Sequence, residues 1–296
     1  MKRYILFIFA ISLLVFTACE DVIDVKLSDE LVDLYCVEAK ITTENSPYVY
    51  LYKSLKVNDD SNFPGVSGAK VTISDNGQPQ KSVQLTESVT TKGLYQISEK
   101  DNFIGETGKE YTVTIEHGGV TITGSDKLAK VEPIDSIQVR PSLRGDKMFL
   151  GVFTYGNEPK GVGNFYKWDL YINGQLLSDA EYLMVASDEL VDGNYVSSFE
   201  IFTDFHDPDK PEERILKLGD SVLVKQSSIS EFAYKFYYQM FDQDGSGGLF
   251  SVPPANIKSN FTASDGKPVL GLFTASDASV SNVVSITQEL DDQLED

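Results

Sequence analysis

The chain has few of the residues on which most catalytic and metal-binding sites depend. Its 296 residues include two histidines, two cysteines and one tryptophan. The sequence contains no histidine pair with zinc spacing, no Gly-x-Ser-x-Gly elbow and no glycine-rich phosphate-binding loop. These absences argue against a zinc enzyme or a serine hydrolase, and we expect no cofactor.

Positive charge is also scarce. The chain has 25 Lys and Arg residues against 45 Asp and Glu residues, which gives a formal net charge of −20. Such a surface would repel a phosphate backbone, so we expect no nucleic-acid partner. It is equally unsuited to a bare anionic membrane, so membrane attachment would have to depend on something other than surface charge. An acidic surface is also an ordinary means of staying soluble.

The N-terminus has the order of a secretory signal peptide. Lys2 and Arg3 precede an apolar run from Tyr4 to Phe16, and small residues then lead to Cys19. A cysteine at the cleavage position is typical of a lipoprotein signal, in which lipid is attached to the Cys19 thiol and the chain is cut before it. As a helix the apolar run would span about 20 Å, short of the ~30 Å hydrocarbon core, which argues against a transmembrane anchor.

An ordinary secretory signal would not need Cys19 at this position. We therefore predict that residues 1–18 are a lipoprotein signal peptide and that residues 19–30 form a lipidated tether. Bacterial lipoproteins carry several acyl chains, so the attachment to the membrane would be durable. With Cys19 lipidated, Cys36 has no partner for an internal disulfide, and its alternating surroundings predict a small core residue.

Short strands broken by turn residues follow the tether. No helical period lies between them, which is typical of a β-sandwich, and we predict an Ig-like β-sandwich domain over residues 31–130. The segments with β-branched or alternating residues are 48–52, 69–73, 94–97, 111–116 and 120–123.

A second β-rich domain is predicted over residues 131–288, after a boundary at Val131-Glu132-Pro133. Residues 134–139 open it, and an alternating strand over 165–172 ends at Asn173-Gly174, a typical hairpin turn. Residues 289–296 are mostly acidic, and we expect this tail to fray.

One amphipathic helix is predicted in the second domain, near 228–241. Ser228 and Glu231 have the spacing of a capping box. Five residues at helical spacing would form its buried face: Phe232, Ala233, Phe236, Tyr237 and Met240. The predicted fold class is therefore mostly β, with this single helix.

Two acidic segments are candidate metal sites. Asp242, Asp244 and Ser246 begin like the loop of a helix–loop–helix calcium site, but Pro253 stands where the bidentate glutamate belongs. A glycine-rich helix stop explains this segment better, so we predict no metal site. The carboxylates between Asp204 and Glu213 could hold a hard cation, and we interpret them instead as an exposed acidic loop.

Trp168 is the first candidate binding residue. Aromatic faces bind sugar rings or partner side chains, but alternate residues of a strand face the core, so a core role for Trp168 with Tyr166 is favoured over a binding platform. The second candidate is the loop from Gly245 to Asn256. Its glycines and prolines allow backbone conformations that could be adapted to a partner. Its candidate binding residues are Phe250, Pro253, Pro254 and Asn256.

Seven segments of the chain occur in a characteristic order: residues 19–24, 64–73, 166–168, 173–174, 187–193, 250–256 and 271–276. Together they resemble the domain-of-unknown-function 4249 family, the outer-membrane lipoproteins of Bacteroidota. Residues 67–73 also resemble the prealbumin-like modules of carboxypeptidase regulatory domains, which are small β-sandwiches, so the N-terminal domain is expected to be Ig-like or prealbumin-like.

The resemblance implies an outer-membrane lipoprotein, often associated with a TonB-dependent receptor, and supplies no catalytic residues. Glu20 and Asp21 also resemble the acidic signal that sends such lipoproteins to the cell surface. We therefore expect a non-catalytic, lipid-anchored surface protein that binds a ligand or protein partner as an accessory to a TonB-dependent transporter. The alternatives are a surface adhesin or structural envelope protein and, less favoured, a glycan hydrolase with two carboxylates about 5–10 Å apart.

Overall fold

The computed structural model describes residues 33–55, 63–98, 102–207, 209–244 and 257–294. In these residues the chain forms two α-helices, α1 (Glu231–Asp244) and α2 (Gln288–Asp292), and eighteen strands in three sheets. The strands are β1 (Tyr35–Thr42), β2 (Tyr48–Lys53), β3 (Lys70–Asp75), β4 (Ser82–Glu87), β5 (Leu94–Gln96), β6 (Glu110–His117), β7 (Val120–Lys127), β8 (Ile134–Arg144), β9 (Lys147–Asn157), β10 (Phe165–Ile172), β11 (Gln175–Leu176), β12 (Met184–Ser187), β13 (Tyr195–Thr203), β14 (Ser221–Ile229), β15 (Phe261–Ala263), β16 (Val269–Ser276), β17 (Ala278–Val280) and β18 (Val284–Ser285). The mostly β class is confirmed, and each strand predicted from alternation is present.

The largest sheet has nine strands in the order β15-β7-β6-β3-β4-β5-β2-β1-β16. Neighbours are antiparallel except β1 and β16, which run parallel. Alternation along β6 buries Tyr111, Val113 and Ile115 on one face, as the period of a strand requires. Cys36 lies buried in β1 as a free thiol, which confirms its predicted place in the core, and burial raises its pKa to about 11.

Side chains join the two edges of this sheet. The Asn260 side chain donates from Nδ2 to the Phe273 carbonyl at 2.8 Å and accepts from the Phe273 N–H at 2.9 Å, so it pairs as a strand residue would. Beside it, Asp126 Oδ2 accepts from the Ala275 N–H at 2.8 Å. The sheet is thereby nearly closed into a barrel. The finer Ig-like or prealbumin-like description stays a prediction.

The other two sheets face each other across a second core. One has six strands, with β10 paired to β11, β12 and β14, and β14 paired to β17 and β18; the other has three in the order β13-β9-β8. Buried residues from both fill the space between them, among them Leu150, Val152, Trp168, Leu170 and Val224. The first core takes residues up to Leu128 and again from Phe261 to Ala275, so β15 and β16 return to the nine-stranded sheet. The predicted division into 31–130 and 131–288 stays a prediction, since Asp33–Asp296 cluster as one compact unit.

The hairpin predicted at Asn173-Gly174 is confirmed, and a similar turn joins β6 to β7. Gly118 and Gly119 connect β6 to β7 with φ of 57° and 80°, and Asn173 and Gly174 connect β10 to β11 with φ of 52° and 77°. Two consecutive positive φ angles define the turn whose twist matches that of paired strands, and glycine and asparagine adopt them at low cost.

The predicted helix exists, but it begins at Glu231 and not near Ser228. Ser228 belongs to β14, where its hydroxyl donates to the Ala129 carbonyl at 2.6 Å and accepts from the Asp277 N–H at 3.1 Å. The capping residue is Ser230, whose hydroxyl accepts from the Ala233 N–H at 3.2 Å. The predicted buried face is only partly right, because Phe232 and Met240 are exposed and Ala233 alone is fully buried.

Residues 289–292 of the acidic tail form part of α2, and the tail contacts the second core as far as residue 294, where fraying was predicted. Thr287 caps α2 by accepting from the Leu290 N–H, and Leu290 and Leu294 pack against the second core. Leu290 and Leu294 are four residues apart and therefore lie on one side of the chain as it leaves the helix. Neither helix in the described residues is long and apolar enough to cross a membrane.

Candidate functional site

A cavity of about 490 Å³ opens between the three-stranded and six-stranded sheets. We call it the Trp168 cavity. Strands β9, β10, β12 and β13 form its walls, Gln226 of β14 lies behind it, and Tyr234 of α1 closes one side. Its volume falls within the range of small-molecule sites, which are mostly apolar clefts with a few fixed polar groups.

Aromatic rings form the main wall of the cavity. Alternation along β10 turns Tyr166, Trp168 and Leu170 inward, and the Trp168 ring lies 5.9 Å from the Tyr166 ring and 5.4 Å from the Phe199 ring between centroids. The indole Nε1–H of Trp168 donates to Gln226 Oε1 at 2.8 Å, and Gln226 Nε2 donates to the Glu132 carbonyl at 2.9 Å. The buried indole is thus held in one orientation where it borders the cavity.

A bulge in β13 brings Phe199 to this wall. Ser197 is paired with Tyr155 and Phe199 with Thr154, so Ser198 is an extra residue in the strand and has a φ of 126°. Without it, the period of two would place residue 198 on the face that Val196 occupies. The bulge turns Phe199 to that face, which is the kind of local change that bulges produce beside binding sites.

Glu158 is the principal polar group of the cavity. It is 9% exposed, and its Oε1 accepts from the Tyr166 hydroxyl and from Asn164 Nδ2, both at 3.0 Å. Burial raises the pKa of the Glu158 carboxyl, and the nearby charges of Asp188 and Asp192 raise it further, while the two hydrogen bonds oppose the shift.

Two loops are hydrogen-bonded to each other at the rim of the cavity. Asp188 is 1% exposed, and its carboxylate accepts from the Gly163 N–H at 3.0 Å, while its own N–H donates to the Asn164 carbonyl at 3.1 Å. Asp192 Oδ1 accepts in the same way from the Gly161 N–H at 2.6 Å. Both glycines have φ near +120°, a conformation that other residues rarely adopt. The rim is therefore shaped by the backbone and by the carboxylates of Asp188 and Asp192.

The family of the chain follows from a comparison with family models. The model described as Domain of unknown function (DUF4249) matches residues 20–281, most of the chain and all of the Trp168 cavity. The chain belongs to the DUF4249 family. No curated protein matches it.

The DUF4249 chain has a second cavity of about 510 Å³, lined by Tyr182, Phe202, Phe205 and His206 on one side and Phe241 of α1 on the other. Asp204 at its base is 1% exposed, and its two carboxylate oxygens accept from the Ile215 and Leu216 N–H groups at 2.9 Å. The interpretation of 204–213 as an exposed acidic loop is therefore wrong for Asp204, which anchors the loop from inside.

The other candidate residues of this DUF4249 chain lie partly inside and partly outside the described residues. Trp168 is a core residue by burial, at 7% exposed, and it also borders a cavity. Its role as a binding residue stays a prediction. Asp242 and Asp244 lie in the last turn of α1, and in the described residues no group of three or more His, Cys, Asp and Glu side chains comes together as a metal site. The candidates outside the described residues are Cys19, Ser246, Phe250, Pro253, Pro254 and Asn256.

Sequence reasoning missed Glu158, Asp188 and Phe199. They come from three separate segments that meet only in the folded DUF4249 chain, and Phe199 needs the bulge as well. The sequence contains one signal, because segment 187–193 carries part of the family resemblance, although nothing in it predicts a site. Its hydrogen bonds to Gly161 and Gly163 are visible only in the structure.

Proposed function

We propose that this protein is a non-catalytic lipoprotein of the bacterial outer membrane that binds a ligand or protein partner at the cell surface, as an accessory to a TonB-dependent transporter. The lipoprotein part rests on the charge, apolar run and small residues that lead to Cys19. The family match begins at Glu20, the residue after that cysteine, and so leaves out the predicted signal peptide. This agrees with a mature chain that starts at Cys19.

The observation that carries ligand binding is the Trp168 cavity. Its aromatic wall is fixed by the hydrogen bonds of Trp168 and Gln226, and its rim by Asp188 and Asp192. A site held in shape before the ligand arrives loses less conformational entropy on binding. A preformed cavity of this kind supports recognition of a ligand.

Contact with a protein partner is assigned to α1 and the loop that follows it. Tyr238, Met240 and Phe241 are 51%, 40% and 54% exposed, and they lead directly into the segment that contains Phe250. Exposed aromatic and methionine side chains are enriched at interfaces. The nine-stranded region, for which we propose an Ig-like or prealbumin-like fold, would act as a spacer or docking module.

The test is a detergent pull-down of the tagged, lipidated chain from its native envelope, followed by mass spectrometry. We expect a TonB-dependent receptor in stoichiometric amount, and we expect deletion of residues 245–256 to abolish its capture. Cys19→Ser should remove both acyl labelling and membrane retention. A lipoprotein that elutes alone would count against the accessory role and favour the adhesin alternative.

A further inference from the structure

The charged residues that line the Trp168 cavity all have the same sign. Among the described residues the cavity is bordered by Glu158, Asp188 and Glu189, and by no lysine, arginine or histidine. The Asp188 carboxylate is directed to the Gly163 N–H, and Glu189 is exposed at the rim. Glu158 is therefore the buried carboxylate that a ligand inside the cavity would meet.

Glu158 has hydrogen-bonding capacity left over. Both of its hydrogen bonds end on Oε1, and within the described residues none ends on Oε2. Oε2 keeps some solvent-accessible surface, since in the described residues the buried side-chain atoms without a partner all belong to Arg214. The two donors to Oε1 are neutral, so they give the carboxylate no counter-charge. A positively charged group placed against Oε2 would supply the missing partner, and charge-assisted hydrogen bonds are the stronger kind.

The aromatic wall favours the same ligand charge. The aromatic residues Tyr166, Trp168 and Phe199 line the same cavity as Glu158, and aromatic faces attract cations through their negative quadrupole. An anion would meet three carboxylates with no basic residue in the lining. A neutral polyol would leave the charge of Glu158 without a counter-charge.

We propose that the Trp168 cavity binds an organic cation, with its ammonium group against Glu158 and its apolar or aromatic body against Trp168. This inference rests on the proposed ligand-binding function and adds the chemical class of the ligand. The cavity volume of about 490 Å³ suits a small molecule and excludes a folded partner.

The chain carries its own probe for the test. Trp168 is the only tryptophan of the protein, so fluorescence excited at wavelengths that its 15 tyrosines do not absorb reports on this cavity alone. The full-length chain in polyoxyethylene detergent micelles is titrated with three compounds of matched size: 2-phenylethylamine, 2-phenylethanol and phenylacetate. Glucose is added as a polyol, and the heat of binding is measured in parallel by calorimetry.

We expect the amine to bind about tenfold or more tightly than the alcohol, and phenylacetate to bind more weakly than either. Glu158→Gln should lower the affinity for the amine about tenfold and leave that for the alcohol unchanged. The matched control is Glu116→Gln, an exposed carboxylate of the nine-stranded sheet, which should change neither affinity.

A second measurement does not depend on any variant. In the unmodified protein, affinity for the amine should fall as the pH is lowered and Glu158, which lies beside the charges of Asp188 and Asp192, takes up a proton, while affinity for the alcohol stays constant. Equal binding of amine and alcohol, or preference for glucose, would overturn the cation assignment and leave the cavity as a binding site. No fluorescence or heat signal with any compound would overturn the ligand-binding function itself.

Discussion

Trp168 and Gln226 are register partners on β10 and β14, and the indole Nε1–H of one donates to the side-chain oxygen of the other at 2.8 Å. Both side chains are more than nine-tenths buried. The pair connects the core to the proposed site, because the same hydrogen bond that satisfies the indole also fixes the ring that borders the cavity.

Removal of the Gln226 amide should therefore affect both stability and the site. In Gln226→Leu the buried indole N–H and the Glu132 carbonyl each lose a partner, and we expect a loss of about 1–3 kcal/mol in the free energy of unfolding. Urea unfolding and the fluorescence anisotropy of Trp168 measure the two effects. The matched control is Gln84→Leu on the exposed face of β4, expected within about 0.5 kcal/mol of the parent. Equal losses in the two variants would contradict a role for the pair.

Asp126 should make stability depend on pH. Burial is the main cause that raises its pKa to about 6, although the Ala275 N–H and the Ser230 side chain bond to the carboxylate. The folded state therefore binds this proton more tightly than the unfolded state, so its contribution is full below about pH 4 and is lost as the pH rises through about 6. The whole effect is on the order of 2–3 kcal/mol.

Asp126→Asn isolates this effect from the other titrating groups. An asparagine oxygen still accepts from the Ala275 N–H, but it carries no charge at any pH. We expect the variant to be more stable than the parent at about pH 7.5 and to converge with it near about pH 4, as judged by urea midpoints across this range. A constant difference between the two proteins at all pH values would refute the assignment.

Asn260 should control closure of the nine-stranded sheet. Asn260→Asp keeps the acceptor for the Phe273 N–H but places a carboxylate oxygen against the Phe273 carbonyl, and we expect a loss of about 2–4 kcal/mol. Hydrogen exchange of the Phe273 amide should accelerate more than that of amides in β6. Asn102→Asp, at an exposed position, is the control and should be nearly neutral.

Gly271 should tolerate no side chain. It pairs with Val37 in the parallel β1–β16 contact, has a φ of 107°, and a Cβ there would lie 2.0 Å from the Val37 carbonyl oxygen. Gly271→Ala should cost about 3 kcal/mol or more, because both strain and a backbone clash arise. Gly266→Ala is the control, since Gly266 also has a positive φ but nothing within 4 Å of the added atom, and about 1 kcal/mol is expected. Thermal melts compare the two.

Many strands and turns of this protein could be predicted from short-range patterns in its sequence. Alternation in residues such as Tyr111, Val113 and Ile115 predicts a strand because successive side chains point to opposite faces. The turns at Gly118-Gly119 and Asn173-Gly174 were equally readable, since their φ angles suit these residues and few others. The mostly β class and the existence of α1 followed from the same short-range patterns.

Only the tertiary structure decided the rest, because the deciding partners are distant in sequence. Ser228 looked like a helix cap, but Ala129 and Asp277 hold it in a strand. Glu158 and Phe199 form one cavity only after two sheets face each other and a bulge turns the phenylalanine inward. Hydrogen-bond partners and cavity walls are set by which segments meet in space, and that information is not contained in the period or spacing of any single segment.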